Sequence, residues 1–443
     1  MPRPSPVSGE SALVRAIGVR GLAAAVVNST IGAGIFVLPA TVAASLGPAS
    51  PVAYLTCAAV MTLVIATFAV AGSRVSLTGG LYAYVEVAFG PFVGFLAGVL
   101  QWLALVLSVA TVASALAASV ALVVPVAATM AGKGAFLALV FGALASINVR
   151  GVVLGTRVVE AMTLAKLLPL AALVAAGVWF VEPQHVVPAL APASDIGTTS
   201  LTLIFAFLGV EVALVPSGEV RDPARTVPRA LFLALGLVTL VYLAIQFVAQ
   251  GVLGPTLGTY RDAPLAETAA RVMGPWGRAL MLAGGAVSML GYTSSDMLST
   301  PRTLFAFGRD GFLPAALARV HPRHRTPQVA IVAHAVVVWA ISTAGTFAHL
   351  VVVANVTLLS LYTLCAAAAW ELVRRDVRAG GVPFRVPGGR AVPVATIVVL
   401  VWLLSHATRQ EFGLLGLVVS IAAVLYLIRR AGTRRPAAGE SMP

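Results

Sequence analysis

Runs of about 20 apolar residues, parted by short polar stretches, recur along the whole chain. Each is long enough to cross a hydrocarbon core of ~30 Å as a helix. Twelve such spans are predicted, at 18–45, 51–72, 92–124, 134–149, 155–180, 197–217, 229–253, 277–300, 328–346, 350–373, 392–407 and 412–428. Two of them break at glycines. One reads Ile31-Gly32-Ala33-Gly34-Ile35-Phe36, and the other reads Phe205-Ala206-Phe207-Leu208-Gly209-Val210-Glu211. Inside a bilayer, backbone N–H and C=O groups freed by such breaks cost several kcal/mol each unless something polar meets them. Interruptions at corresponding positions of two halves point to a binding site at the membrane midplane, the pattern of a secondary transporter.

Composition agrees with this pattern. Hydrophobic residues make up 59% of the chain and charged residues 10%, with a mean hydropathy of +0.97, against roughly 25% charged in an average soluble domain. No stretch is long and polar enough to form a soluble domain. The net charge of +13 raises the question of nucleic acid, and its distribution answers it. With the N-terminus inside, 23 of the 29 Lys and Arg fall on cytoplasmic segments and only Lys133, Arg261, Arg271, Arg278 and Arg409 on outer loops, while Lys166 lies within a span. This is the positive-inside asymmetry, which predicts both termini in the cytoplasm of a multi-pass protein of the cell (inner) membrane and no nucleic-acid partner. Cys57 and Cys365 sit far apart within spans, read as small buried residues, and suggest no disulfide or metal site. The first apolar stretch, about 26 residues with an internal break, exceeds a signal-peptide core of ~7–15 and is expected to be retained.

The candidate chemistry follows from the breaks. Gly32 and Gly34 lack the third glycine and the βαβ context of a dinucleotide fingerprint, since position 37 is Val37. A helix restarting near Ile35 instead presents free N–H groups and a positive dipole end, suited to a carboxylate. The alternative is close helix packing through small residues. Glu211, an acidic residue deep in a span, costs at least ~2.5 kcal/mol there and should have a partner or a task. It reads either as a substrate-amine contact or protonatable gate, or as a carboxyl bonding the loose backbone of its own broken helix. Lys166 lies ~18 Å along the fifth span, near mid-bilayer. An amine held there can exchange a proton or stand where a sodium ion would bind helix-end carbonyls, or else snorkel. Ser288, Tyr292, Ser295 and Ser299 share one face of the eighth span beside Asp296, lining a pathway or bonding a neighbouring helix. The six histidines fit no catalytic or metal pattern, and no H-E-x-x-H, G-x-S-x-G or G-x-x-x-x-G-K-[ST] occurs, so an enzyme or ATP-driven pump is not expected.

Four motifs in order resemble the amino acid–polyamine–organocation (APC) superfamily of permeases: Gly32 to Phe36; Thr78-Gly79-Gly80-Leu81-Tyr82-Ala83-Tyr84 with Phe89-Gly90-Pro91; Phe205 to Glu211 followed by Gly218 to Arg229; and Arg302 to Pro314 with Thr326-Pro327. Arg302 follows Pro301 where the family more often carries a small residue. The resemblance implies an all-α integral membrane fold of the leucine-transporter type. Its helices 1–5 (18–180) and 6–10 (181–373) would form inverted repeats, with two added helices (374–430) and cytoplasmic tails at 1–17 and 431–443. It also implies an amino-acid substrate; both the proton-exchanging and the sodium-replacing readings of Lys166 predict sodium-independent transport, by symport with protons or by exchange, and no cofactor is expected. By the same resemblance the substrate site comprises Ile31, Gly32, Ala33, Gly34, Ile35, Phe205, Ala206, Phe207, Gly209, Val210 and Glu211. Lys166 matches a lysine at a vacated sodium site, and Ser295, with Ser294, would be the eighth-helix partner. Apolar residues around the breaks suggest a small or apolar substrate, whereas Glu211 admits a cationic one. Within 218–229, Glu219, Arg221, Asp222, Arg225 and Arg229 read either as gate ion pairs or as a solvated loop worth only ~0–1 kcal/mol per pair.

Overall fold

A computed structural model describes residues 18–75, 81–150, 166–187, 189–211, 220, 223–309, 312–324, 326–378, 384, 386 and 388–433. The motif residues Thr78 to Gly80, Gly218, Glu219, Arg221, Asp222, Asp310 and Gly311 lie outside them, as does the first part of the fifth span. The described residues are helical, with short 3₁₀ turns and no extended strand among them. In order they form α1 (Val19–Thr30), α2 (Gly34–Leu46), α3 (Ser50–Arg74), α4 (Leu81–Phe89), α5 (Pro91–Ala121) and α6 (Met130–Arg150). There follow α7 (Lys166–Phe180, its last turn 3₁₀), α8 (Ala193–Leu203), α9 (Pro223–Leu253) and α10 (Pro264–Ser299). The chain ends with α11 (Pro301–Arg309), α12 (Gln328–Ala344), α13 (Phe347–Arg374), α14 (Ala391–Leu404) and α15 (Arg409–Thr433).

Among the described residues, six stretches are long and apolar enough to cross a bilayer, and four apolar helices are shorter. Part of the shortfall has local causes: α2 and α3 run together as one stretch, Gly34–Arg74. α8 is cut short by the second break, and α7 is described only from Lys166. Several boundaries differ from the predicted ones. Pro223 sits in the first turn of α9, where its fixed φ suits a helix start, so Arg225 and Arg229 ride on that helix instead of a loop. Pro301 likewise opens α11, making Arg302 to Arg309 helical. Lys133 lies in the first turns of α6, where its ammonium donates to Gly345 O (2.6 Å) and Ser114 Oγ (3.1 Å). α10 kinks at Gly274 (φ 68°, ψ −160°), a conformation open to glycine, so the segment before Pro275 is a separate helical arm.

The chain divides into two compact units, each drawing segments from both halves of the sequence. The first comprises 1–97, 182–258 and 359–406; the second comprises 98–181, 259–358 and 407–443. Within the first unit, α3 is the hub. Tyr54 donates to Gln246 Oε1 on α9 (3.0 Å), Thr67 and Thr396 hydroxyls join α3 to α14 (2.7 Å), and Cys57 donates to Ser200 O on α8 (3.5 Å). Both cysteines are fully buried. α13 closes in a Schellman turn, with Val377 N–H on Leu372 O and Asp376 N–H on Val373 O. Asp376 takes the left-handed position (φ 51°), which aspartate tolerates. Beyond the helix end, hydrogen bonds from Arg378 and then Arg74 hold the Asp376 carboxyl below the usual carboxylate range.

Within the second unit, α6 packs along α12, and Trp339 Nε1–H donates to Gly134 O (2.9 Å). A methyl group on Gly284 of α10 would stand 2.4 Å from Pro169 Cγ on α7, so glycine there permits the two helices to touch. His334, which shows no partner by sequence spacing, pairs with Asp296: Nε2 to Oδ2 is 2.7 Å, and Thr300 Oγ1 donates to Asp296 Oδ1 (2.6 Å).

Candidate functional site

The first break spans Ile31 to Ala33. Ile31 N–H makes the last helical bond of α1, to Val27 O, and then turns out of the helix with ψ 86°. Gly32 N–H closes back on Thr30 O (2.9 Å). α2 restarts at Gly34 behind Ala33, a residue with no polar side chain, and no side-chain cap satisfies its N-terminus. The first-turn N–H groups of a helix have no intrahelical acceptor. Here Phe36 N–H closes on Ala33 O (3.0 Å), and the N–H groups of Gly34 and Ile35 before it remain at the break.

The second break begins where α8 tightens into the 3₁₀ turn Ile204–Phe207 and leaves it at Leu208 with ψ 161°. Gly209 follows at φ 105°, a conformation that residues with a Cβ rarely adopt. Glycine is doubly required there, because a Cβ would lie 2.8 Å from Ser29 O. Gly34 has a matching constraint: its Cβ would lie 2.8 Å from Ala206 Cα. The two breaks thus touch, backbone on backbone, and both lie in the first unit.

Side chains hold this contact. Tyr242, fully buried on α9, shares its one hydroxyl hydrogen between Ala206 O (2.8 Å) and Thr30 O (3.1 Å), one carbonyl from each break. Ser29 Oγ donates to Gly209 O (2.9 Å) as well as to Val26 O (3.0 Å). Glu211 Oε2 accepts from Gly209 N–H (3.1 Å) and from the Tyr362 hydroxyl on α13 (2.6 Å). This is the geometry of a carboxyl that satisfies its own broken helix. Thr30 Oγ1, buried beside the first break, has no hydrogen-bond partner among the described residues.

Of the expected site residues, the structure gathers Ile31, Gly32, Ala33, Gly34 and Ile35 with Phe205, Ala206, Phe207, Gly209, Val210 and Glu211. All are buried except Glu211, which is half-buried. Lys166, Ser294 and Ser295 belong to the second unit. Lys166 is 3% exposed at the first described position of α7. On α10, Ser294 is buried and Ser295 exposed. Within the predicted polar face, Ser288 is buried, and Ser299 Oγ donates to Ser295 O (3.0 Å). Asp296 bonds across to α12 instead of joining that face. Ser29, Tyr242 and Tyr362 were not anticipated. Tyr242 stands in the sequence as a lone polar group inside an apolar helix, while Ser29 lies within Asn28-Ser29-Thr30 and Tyr362 between Ser360 and Thr363, where nothing in the spacing singles them out.

Apolar helices together with two adjoining interrupted ones define a multi-pass membrane protein of the permease type. A sequence profile described as "Amino acid permease" matches residues 17–410. The chain is 30% identical over 335 residues to the serine/threonine exchanger SteT of Bacillus subtilis (strain 168), covering 73% of this chain and 75% of that one. It is 27% identical over 425 residues to the methylthioribose transporter of the same organism, covering 90% and 89%. It is 23% identical over 417 residues to that organism's branched-chain amino acid permease BcaP, again covering 90% and 89%. The chain belongs to the amino acid permease family, within the APC superfamily.

Proposed function

We propose that this protein is a secondary active transporter of amino acids that works by alternating access. The observation that carries the reading is the backbone contact of the two breaks, Gly34 on Ala206 and Gly209 on Ser29, beside an uncapped helix start. In this reading the N–H groups around Gly32, Ala33, Gly34 and Ile35 take the substrate carboxylate. Carbonyls of both breaks take its ammonium, and Phe205, Phe207 and Val210 shape the side-chain space. Twelve spans, inverted repeats at 18–180 and 181–373, and both termini in the cytoplasm complete the architecture. Lys166 stands in for sodium or carries a proton, and Ser294 and Ser295 serve the amine from α10.

The engagement of Glu211 by Gly209 and Tyr362 favours a neutral substrate over a cationic one. Relatives named for serine/threonine exchange and for branched-chain amino acids support the same class. The test is uptake and counterflow of labelled amino acids in proteoliposomes, with the twenty amino acids and common polyamines as competitors. Saturable, sodium-independent flux inhibited by neutral amino acids is expected. Binding without flux would make the protein a sensor and overturn the transport reading. Competition by arginine or polyamines alone would assign Glu211 to the substrate amine. Lys166→Ala is expected to abolish or uncouple flux, and unchanged activity and pH dependence would remove its proposed role.

A further inference from the structure

A cavity of about 650 Å³ runs between α6 and α12 in the second unit, whereas both breaks belong to the first. Its floor on α6 is built from small residues one or two turns apart, Ala138, Gly142, Ala145 and Ser146. Its far wall on α12 is Val332, Val336 and Trp339, all three exposed. A Cβ at Gly142 would meet nothing within 4 Å, so the groove is open at its centre. From Ala138 to Arg150 it runs ~18 Å along the helix axis, comparable to one leaflet of a hydrocarbon core ~30 Å thick.

One end of the groove is different in kind. Arg150, His321 and His324 line it there. The backbone N–H groups of Arg323 and His324 donate to His321 Nδ1 (3.1 Å each). That places the ring proton of a neutral His321 on Nε2, as a donor. The turn carrying these histidines is docked onto the end of α6. Thr326 Oγ1 donates to Val149 O (2.8 Å), and His321 N–H donates to Thr326 O (2.8 Å). A seat with a permanent guanidinium charge and ring N–H donors thus caps an apolar channel of leaflet depth.

We propose that this groove binds one anionic phospholipid from the surrounding bilayer, its acyl chain along Gly142 and Val336 and its phosphate at Arg150, His321 and His324. A basic pocket between spans at a membrane surface fits an acidic headgroup. A packing helix of a second copy would leave Arg150 without an anion. With the orientation proposed above, the lipid belongs to the cytoplasmic leaflet.

Trp339 supplies the probe. The full-length protein is reconstituted in phosphatidylcholine vesicles doped with brominated phosphatidylglycerol or, separately, brominated phosphatidylcholine. The Trp339 signal is the difference between wild type and Trp339→Phe. Stronger quenching by the anionic lipid is expected, with about a fivefold affinity preference from one Arg at the headgroup. Arg150→Gln should remove the preference, and Gly142→Leu, which fills open space and raises helix propensity, should lower quenching by both lipids. Arg409→Gln, outside the groove, should change nothing. Equal quenching by the two lipids, or a preference that survives Arg150→Gln, overturns the proposal. So does a dimer, detected by cross-linking at Ser146→Cys, that shields Trp339. Both native cysteines are buried, so only the engineered thiol should react. None of these readouts depends on flux, so a failed transport assay leaves the result intact.

Discussion

Tyr242→Phe isolates the hydroxyl that joins the two breaks. The ring is retained, and with it the edge-to-face contacts to Phe207 (centroids 5.3 Å apart) and Tyr54 (6.5 Å apart). No cavity of a side chain's size is opened. What is lost is one donor shared by Ala206 O and Thr30 O. A buried acceptor left unsatisfied costs about 1–3 kcal/mol, and two acceptors are affected, though they shared a single hydrogen. The expected destabilisation is therefore about 1–3 kcal/mol in total. A 1 kcal/mol loss lowers Tm by about 2–4 °C in domains of 150–250 residues and less in larger ones. A shift of a few degrees in detergent is therefore expected, with a larger proportional loss of counterflow because the loosened carbonyls belong to the proposed ammonium site. Added substrate should restore part of the lost thermal stability, since a ligand that binds the folded state stabilises it. The reasoning is refuted if Tyr242→Phe matches wild type in both Tm and counterflow.

Gly34→Ala forces a methyl group against Ala206 Cα and is expected to abolish flux while the protein still inserts. The overlap costs on the order of 1–3 kcal/mol, and wild-type uptake would sink the proposed contact. Glu211→Gln and Tyr362→Phe should both slow exchange without changing which substrates compete. A switch from cationic to neutral preference in Glu211→Gln alone would show that the carboxylate reads the substrate. His334→Ala deprives buried Asp296 of its 2.7 Å partner and should cost at least about 1–3 kcal/mol. That loss is measurable as lower thermal stability in detergent, and unchanged stability would count against the pair.

The breaks were legible because glycine has no substitute where backbone meets backbone or where φ is positive, and Gly34 and Gly209 sit at such places. What secures them was not legible. Tyr242 lies 36 residues from Ala206 and 212 from Thr30, and neither helical period nor spacing links positions so far apart. The same holds for Asp296 and His334, 38 residues apart, which look like a pathway residue and a solitary histidine until α10 and α12 are packed. Pro223 falls within the stretch 218–229, one reading of which is a solvated loop, yet it occupies a first helical turn, as Pro301 does, where a missing N–H costs nothing. Glu211 was read in two ways because sequence alone cannot say whether a carboxylate faces its own chain or a ligand.

The paired glycines also bear on motion. Gly34 against Ala206 and Gly209 against Ser29 are two separate weld points between the same two interrupted segments. A hinge running between those segments would have to open both at once and leave main-chain groups bare in the lipid interior. In the proposed alternating-access cycle the cheaper route is for the fused pair to travel as one block, which places the flexible joints at the outer ends of α1, α2 and α8.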